Sequence, residues 1–485
     1  MRVLAVASEA FPLVKTGGLA DVAGALPVAL GHFGVETTTL IPGYPQVMAR
    51  AHESGTTQAV WTWSDFYGGW AELIGAEVAG LKLLILNAPH LFNRDGGIYG
   101  NGAVDWPDNW RRFAALGRAA ADLAGGGIKG QGFDLLHAHD WQAALGPAYL
   151  RFAPPVAGRA VPSVTTIHNI AFQGRFDRSV FPQLGLPQAA WAIDGVEYHG
   201  GVGFLKAGLE AASAITTVSP TYAAEIREAG FGMGLEGLIV SREARVHGIL
   251  NGIDAAEWNP AGDPHLPARY SLRSLARRAA NKRALEAEFG LEEEAGPLFV
   301  VVSRLTWQKG MDVLLAVLDG MVEAGGRLAL LGSGDPALEA GFAAAAARHP
   351  GRVGVRIGYD EALSHRLQGG GDAILIPSRF EPCGLTQLYG LAYGCVPVVA
   401  RTGGLADTVI DANPAALGAG VATGIQFDGV EAETLARAIA RTVALFRRPD
   451  EWLRLQKNGM RCDFSWARSG RTYAELYSAL VEEQP

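Results

Sequence analysis

The sequence predicts an α/β protein of two domains, each built on a parallel sheet covered by helices on both faces. Three observations carry that prediction. A chain of 485 residues that is 49% hydrophobic and only 19% charged is long enough, and apolar enough, for more than one buried core. Short apolar runs rich in Val, Ile, Leu and Thr alternate with Ala- and Leu-rich stretches of helical spacing, the pattern of repeated βαβ units. The alternation stops once, at residues 251–270, where Asn, Gly, Pro and Asp concentrate as in a connection between domains, and then resumes.

Candidate strands of the first half are 2–8, 36–41, 81–88, 134–139, 162–168 and 213–219, with helical segments such as 19–31 and 109–124 between them. Those of the second half are 297–303, 327–332, 372–378 and 396–401, with an Ala-rich helix at 336–348. This predicts domains at 1–250 and 251–464. In the remaining segment, 465–485, Trp466, Tyr473, Tyr477 and Leu480 recur at helix-like intervals, which reads as an amphipathic helix packing back on the first domain.

Composition narrows the partners. A net charge of −8 gives no bulk attraction for nucleic acid or an anionic membrane, so an anionic ligand has to be held by locally placed donors. Only seven of the 41 basic side chains are lysines, and two of them, Lys15 and Lys309, precede glycine-bearing turns. Three cysteines without Cys-x-x-Cys spacing make neither a disulfide framework nor a structural metal site, which fits a reducing cytoplasm. Ser8, Glu9 and Lys15 interrupt the N-terminal apolar run before a signal-peptide core forms, and no apolar stretch approaches the roughly 20 residues that cross a bilayer.

Four stretches carry chemistry. The first strand should end at the carboxyl edge of its sheet, where open α/β sheets bind ligands, and "KTGGLADVAGALPVAL" follows as a glycine loop running into a helix. Gly17 and Gly18 allow close backbone approach, amides at a helix start favour an anion, and Lys15 adds a full charge; the alternative is an ordinary βα turn. In "VVSRLTWQKGMD" (301–312), Arg304 and Lys309 occupy another strand-to-helix loop, as an anion clamp or as solvated surface cations. In "IPSRFEPCGLTQLYGLAYG" (376–394), Gly384, Leu385 and Thr386 should open a helix whose free amides can receive a phosphate. Glu381 is there either a helix-dipole partner or an acceptor for sugar hydroxyls, and Cys383 is a small packing residue rather than a nucleophile, since no base accompanies it.

The fourth stretch is a pair, "HAHDW" (137–141) and "TIHNIAFQG" (166–174), which puts polar residues at two strand ends. His137 and His139 could share a face and hold a metal, but no third ligand stands at metal spacing and no Asp-x-Asp occurs, so no metal is expected. His168 reads either as a core histidine or, with Asn169 beside it, as part of a site. Thr-Gly-Gly-Leu-Ala-Asp occurs twice, at 16–21 and 402–407, each time behind a cation, Lys15 or Arg401. Both copies read as Gly-Gly turns able to present backbone donors, with Arg401 in a structural turn.

Together "KTGGLADV", "HAHDW", "TIHN", "SRLTWQKG", "GYDEALSH" and "PSRFEPCGLTQLYG" resemble the bacterial and plastid glycogen and starch synthases, retaining glucosyltransferases of the GT-B fold, from residue 3 to about 466. The resemblance implies two Rossmann-like domains facing a deep cleft, with the second as the nucleotide-sugar domain and the first on the acceptor side. It implies ADP-glucose as donor, the non-reducing end of an α-1,4-glucan (glycogen) as acceptor, and no cofactor.

By the same resemblance Arg304, Lys309 and the turn Cys383–Thr386 stabilise the departing diphosphate, with Lys15 approaching from the other domain. Glu381 holds glucose hydroxyls, while Asp140, His168, Asn169 and Asn251 line the sugar site. Tyr359 stacks on adenine, and Tyr99 contacts the acceptor. Many retaining GT-B enzymes carry a second Glu eight residues after the first; here that position is Tyr389, which favours the glycogen synthase branch. No carboxylate is placed for attack, so a short-lived oxocarbenium-like state is preferred to a covalent intermediate. The alternatives are a related enzyme using UDP-glucose or another acceptor, and a catalytically silent glucan-binding homologue.

Overall fold

The computed structural model describes residues 1–102, 104–155 and 158–483, so the last two residues of the 465–485 segment lie outside the described residues. The chain divides into two compact units, Met1–Gly252 with Trp466–Pro485, and Ile253–Ser465.

The sheet of the first unit has nine strands. Seven run parallel, in the order Val246–Gly248, Ala214–Thr217, Ser163–Ile167, Leu135–His139, Arg2–Val6, Glu36–Pro42 and Leu81–Asn87. Two further strands, Ala71–Val78 and Gln58–Trp63, continue the edge antiparallel, so this sheet is mixed where a purely parallel one was expected. Gln58–Trp63 has no buried residue, and its apolar stretch Ala59–Trp61 is only three residues long, short of the run that marks a buried parallel strand.

The second unit holds six strands, all parallel, in the order Val353–Ile357, Arg327–Gly332, Leu298–Val302, Ala373–Ile376, Val396–Ala400 and Ile425–Phe427. Numbered by sequence this is 3-2-1-4-5-6, the doubly wound Rossmann order. Alternate residues of its central strand feed two cores: Phe299 and Val301 pack with Leu314 and Leu318, while Leu298 and Val300 pack with Leu285, Leu363 and Leu367. Burial on both faces explains why these strands read as continuous apolar runs. The two strands absent from the sequence reading, Val353–Ile357 and Ile425–Phe427, are the sheet's edges.

The seven parallel strands of the first unit follow the same pattern with one strand more, 3-2-1-4-5-6-7, so each sheet has one switch point where the strand order reverses. In the first unit it lies between Arg2–Val6 and Leu135–His139, and in the second between Leu298–Val302 and Ala373–Ile376. The terminal helix Trp466–Glu482 buries Trp466, Tyr473, Tyr477 and Leu480 in the first unit's core, against Val22, Leu26 and Leu30 of the helix Gly18–Gly31.

Candidate active site

In the first unit the loop after Arg2–Val6 opens at its switch point. The buried carboxylate of Glu9 receives the Thr16 amide at 2.5 Å, the Thr16 hydroxyl at 2.6 Å and the Gly17 amide at 3.3 Å. The Gly17 amide, expected to face a ligand anion, is therefore already engaged by a side-chain anion. Gly18 and Leu19 open the helix, where intrahelical partners for the amide are lacking by geometry. Lys15, Thr16, Gly17 and Gly18 are exposed, and Lys15 pairs with Asp21 of the same helix at 2.8 Å. The Tyr99 hydroxyl donates to Glu9 at 2.6 Å and lies 2.7 Å from the Ser8 hydroxyl, so it braces the loop instead of reaching outward. Glu9 was missed as a site residue; its position directly after the first strand was the available signal.

Asp140 starts the next loop of the same edge, with a left-handed backbone at φ 56°. Its carboxylate accepts the His168 amide at 2.7 Å and draws that of Asn169 as well, which fixes the turn after Ser163–Ile167. Burial pushes this carboxyl up to about 7, against the two amides that stabilise its charge. His168 Nε2 lies 2.9 Å from His139 Nδ1, and burial holds both imidazoles below their usual range, hence neutral. His137 is engaged by Tyr477 and Thr166, and His139 by His168, so neither is arranged with the other around a common metal position. Asn251 is 6% exposed, and its Oδ1 has no hydrogen-bond partner among the described residues.

In the second unit the two loops at the switch point are fastened together. Arg379 chelates Asp312 at 2.7 and 2.8 Å, lies over the Trp307 ring at 4.5 Å, and bonds the Trp307 carbonyl at 2.6 Å. Gly310, at φ 67°, caps the helix Met311–Glu323 where a Cβ would overlap the Pro377 carbonyl oxygen, so the loop that carries Lys309 closes on the end of Ala373–Ile376. Lys309 Nζ then meets Glu381 Oε2 at 2.5 Å, and the Ser378 hydroxyl donates to the same oxygen at 2.8 Å. The Lys309 and Glu381 side chains are 18% and 9% exposed, which corrects the picture of Lys309 as a solvated surface cation. Arg304 is exposed, and its guanidinium makes no ion pair among the described residues.

Leu385 caps the helix Thr386–Tyr393, behind the turn formed by Cys383 and Gly384. Gln387, unsuspected from sequence, is fully buried and bonds the Cys383 and Gly384 carbonyls at 3.0 and 2.8 Å. The second Thr-Gly-Gly packs under this turn. The Gly404 amide donates to the Glu381 and Pro382 carbonyls at 3.1 and 3.2 Å, so the expectation that this copy offers free backbone donors is corrected. Arg401 bonds Gln426 at 2.9 Å. Tyr359 stands after Val353–Ile357 with 71% of its surface exposed. Tyr389 stacks on Trp258 at 3.6 Å.

Residues 2–241 match the family described as starch synthase catalytic domain, and residues 283–452 the family described as glycosyl transferases group 1. The chain is 67% identical over 484 residues to the glycogen synthase of Novosphingobium aromaticivorans, covering 100% of this chain and 99% of that one. It is 57% identical to the glycogen synthase of Mesorhizobium japonicum, with 100% of both chains covered. Among solved structures, the catalytic domain of starch synthase IV from Arabidopsis thaliana, bound to ADP and acarbose, superposes with a TM-score of 0.89 at 31% identity, covering 99% of each chain. Sucrose-phosphate synthase from Thermosynechococcus elongatus, at 17% identity, a TM-score of 0.60 and 99% coverage of each chain, shares the fold. No helix among the described residues is long and apolar enough to cross a membrane.

Proposed function

The chain belongs to the glycogen synthase family of glycosyltransferases, and from that premise we propose how its residues divide the transfer of glucose from a nucleotide-sugar donor to a glucan. The donor is ADP-glucose, and the product is an α-1,4 bond formed with retention at the non-reducing end. The observation that carries this reading is the contact of Lys309 with Glu381, 2.5 Å apart at the switch point of a doubly wound sheet, beside the start of the helix Thr386–Tyr393.

The C1–oxygen bond to the diphosphate breaks while negative charge grows on the departing oxygen. Cations and helix-start amides fixed beforehand stabilise that charge most. Arg304, Lys309, Gly384, Leu385 and Thr386 supply them, with Cys383 as the packed base of the turn. One Glu381 oxygen is taken by Lys309 and Ser378, which leaves Oε1 to accept a glucose hydroxyl. His168, Asn169 and Asn251 line the sugar in the first unit, Asp140 holds the His168–Asn169 turn, and Lys15 serves the diphosphate once the ligand replaces its pairing with Asp21, with Gly17 and Gly18 leaving room for close approach. Tyr99 braces that loop through Glu9. The exposed Tyr359 ring stacks on adenine. The acceptor hydroxyl attacks C1 from the face the diphosphate leaves, and its proton passes to the departing phosphate oxygen, so no metal or cofactor enters the scheme. Three free cysteines suit a reducing cytoplasm as its place of work.

A transfer assay with maltooligosaccharide, run with ADP-glucose and UDP-glucose side by side, tests the reading. Chain extension with ADP release is expected. Faster extension from UDP-glucose overturns the donor assignment and the role of Tyr359, and no extension from either overturns the reaction.

A further inference from the structure

The face of the first sheet that lies under the terminal helix changes character along its strands. It is apolar at the start, with Val3, Leu135, Val164 and Ala214 in the core. Nearer the carboxyl edge the residues at the same strand parity are His137, His139, Thr166 and Thr216, all buried. Tyr477 of the helix Trp466–Glu482 reaches that stripe, its hydroxyl 2.6 Å from His137 Nδ1. His137 Nε2 lies 2.6 Å from the Thr166 hydroxyl, which lies 2.5 Å from that of Thr216. The His137 and His139 rings are 4.0 Å apart, and His139 Nδ1 meets His168 Nε2 at 2.9 Å.

We propose that Tyr477 is a positioning residue: by fixing the His137 ring, which lies against that of His139, it sets the ring plane of His168, which makes the terminal helix a working part of the catalytic apparatus. The proposal rests on His168 serving the donor sugar. Among the described residues His137 Nδ1 is the one hydrogen-bond partner of the Tyr477 hydroxyl, so the phenol donates there. His137 must then carry its proton on Nε2 and donate to Thr166. A small cavity lined by Thr37, Leu26, His137, His139 and Tyr477 lies against both rings. Packing is incomplete on that side, so the hydrogen bonds hold planes that a filled core would otherwise fix.

Tyr477→Phe removes the one donor and keeps the ring. The test compares it with the full-length protein by the 15N resonances of the histidine rings, by kcat and KM, and by Tm. The expected result is displaced His139 and His168 resonances as well as His137, with kcat down about three- to tenfold and KM for ADP-glucose within about twofold. Leu480→Val, which thins the same helix's packing without touching a hydrogen bond, should lower Tm and leave resonances and kcat in place. Unmoved His139 and His168 resonances, or an unchanged kcat, overturn the proposal. Failure of the underlying reading shows separately: His168→Ala with full turnover removes His168 from the sugar site, while the Tyr477→Phe resonances still decide whether the relay exists.

Discussion

Removing a lysine whose ammonium sits 2.5 Å from a carboxylate strands that carboxylate. With only 18% of the Lys309 side chain and 9% of Glu381 exposed, Lys309→Ala leaves a mostly buried anion held by Ser378 alone. Turnover should fall by orders of magnitude, and stability should drop by roughly 1–3 kcal/mol as well, since an uncompensated buried charge costs more than its pair contributed. Chemical denaturation beside kinetics checks this; full stability in Lys309→Ala places the ammonium in water. Asp140 makes a different residue-level case, because its carboxyl titrates near 7 when folded against an ordinary value near 3.8. A raised carboxyl binds more proton folded than unfolded, so its contribution is present below about pH 4 and is lost as pH rises through 7. Asp140→Asn keeps an oxygen for the His168 amide and tolerates the left-handed backbone. Its Tm relative to wild type should therefore climb between pH 5 and 8, and a constant offset over that range contradicts the burial of an ionisable Asp140.

At the scale of the element, one hexapeptide is used twice for different reasons. Gly17 and Gly18 have open space where a Cβ would stand, and Gly17 is extended at φ −159°, so Gly17→Ala and Gly18→Ala should fold normally. Gly403 sits at φ 43°, with a Cβ position that overlaps the Glu381 carbonyl, so Gly403→Ala must push away the loop that carries Glu381. Loss of several degrees in Tm together with activity is expected there, while at Gly17 and Gly18 any loss should be in activity alone. Melting curves of the three variants decide it. This contrast also marks the reach of sequence. Glycine loops at strand ends were legible because apolar runs place the strands, and parallel strands share a carboxyl edge. The partners of those loops were not: Glu9 lies seven residues from Thr16, and Gln387 sits in an apolar helix, so nothing local announced that each braces a turn. The helices 109–124 and 336–348 were legible to the residue, whereas the strands Gln58–Trp63 and Ala71–Val78 carry apolar stretches of only three and four residues, Ala59–Trp61 and Leu73–Ala76, cut short by Thr62 and Glu77.

For the molecule as a whole, the path of the chain matters more than any one contact. It completes the first sheet by residue 248, builds the entire second unit over Ile253–Ser465, and only then supplies the last helix of the first unit. Until Trp466–Glu482 is made, Val3, Val22, Leu26, Leu30, Leu135 and Val164 lack the cover of Trp466, Tyr473, Tyr477 and Leu480. Each large side chain removed from such a core costs about 2–5 kcal/mol, and four together exceed most of what a domain of this size holds in reserve. The second unit has its own cores, to which the terminal helix contributes no residue. Truncation after Ser465 should therefore abolish or sharply lower the thermal transition of the first unit and leave that of the second near its original temperature. Differential scanning calorimetry of the truncated and intact chains reads both. A first-unit transition that survives unchanged would mean the helix only decorates that core, and equal loss of both transitions would mean the two units fold as one.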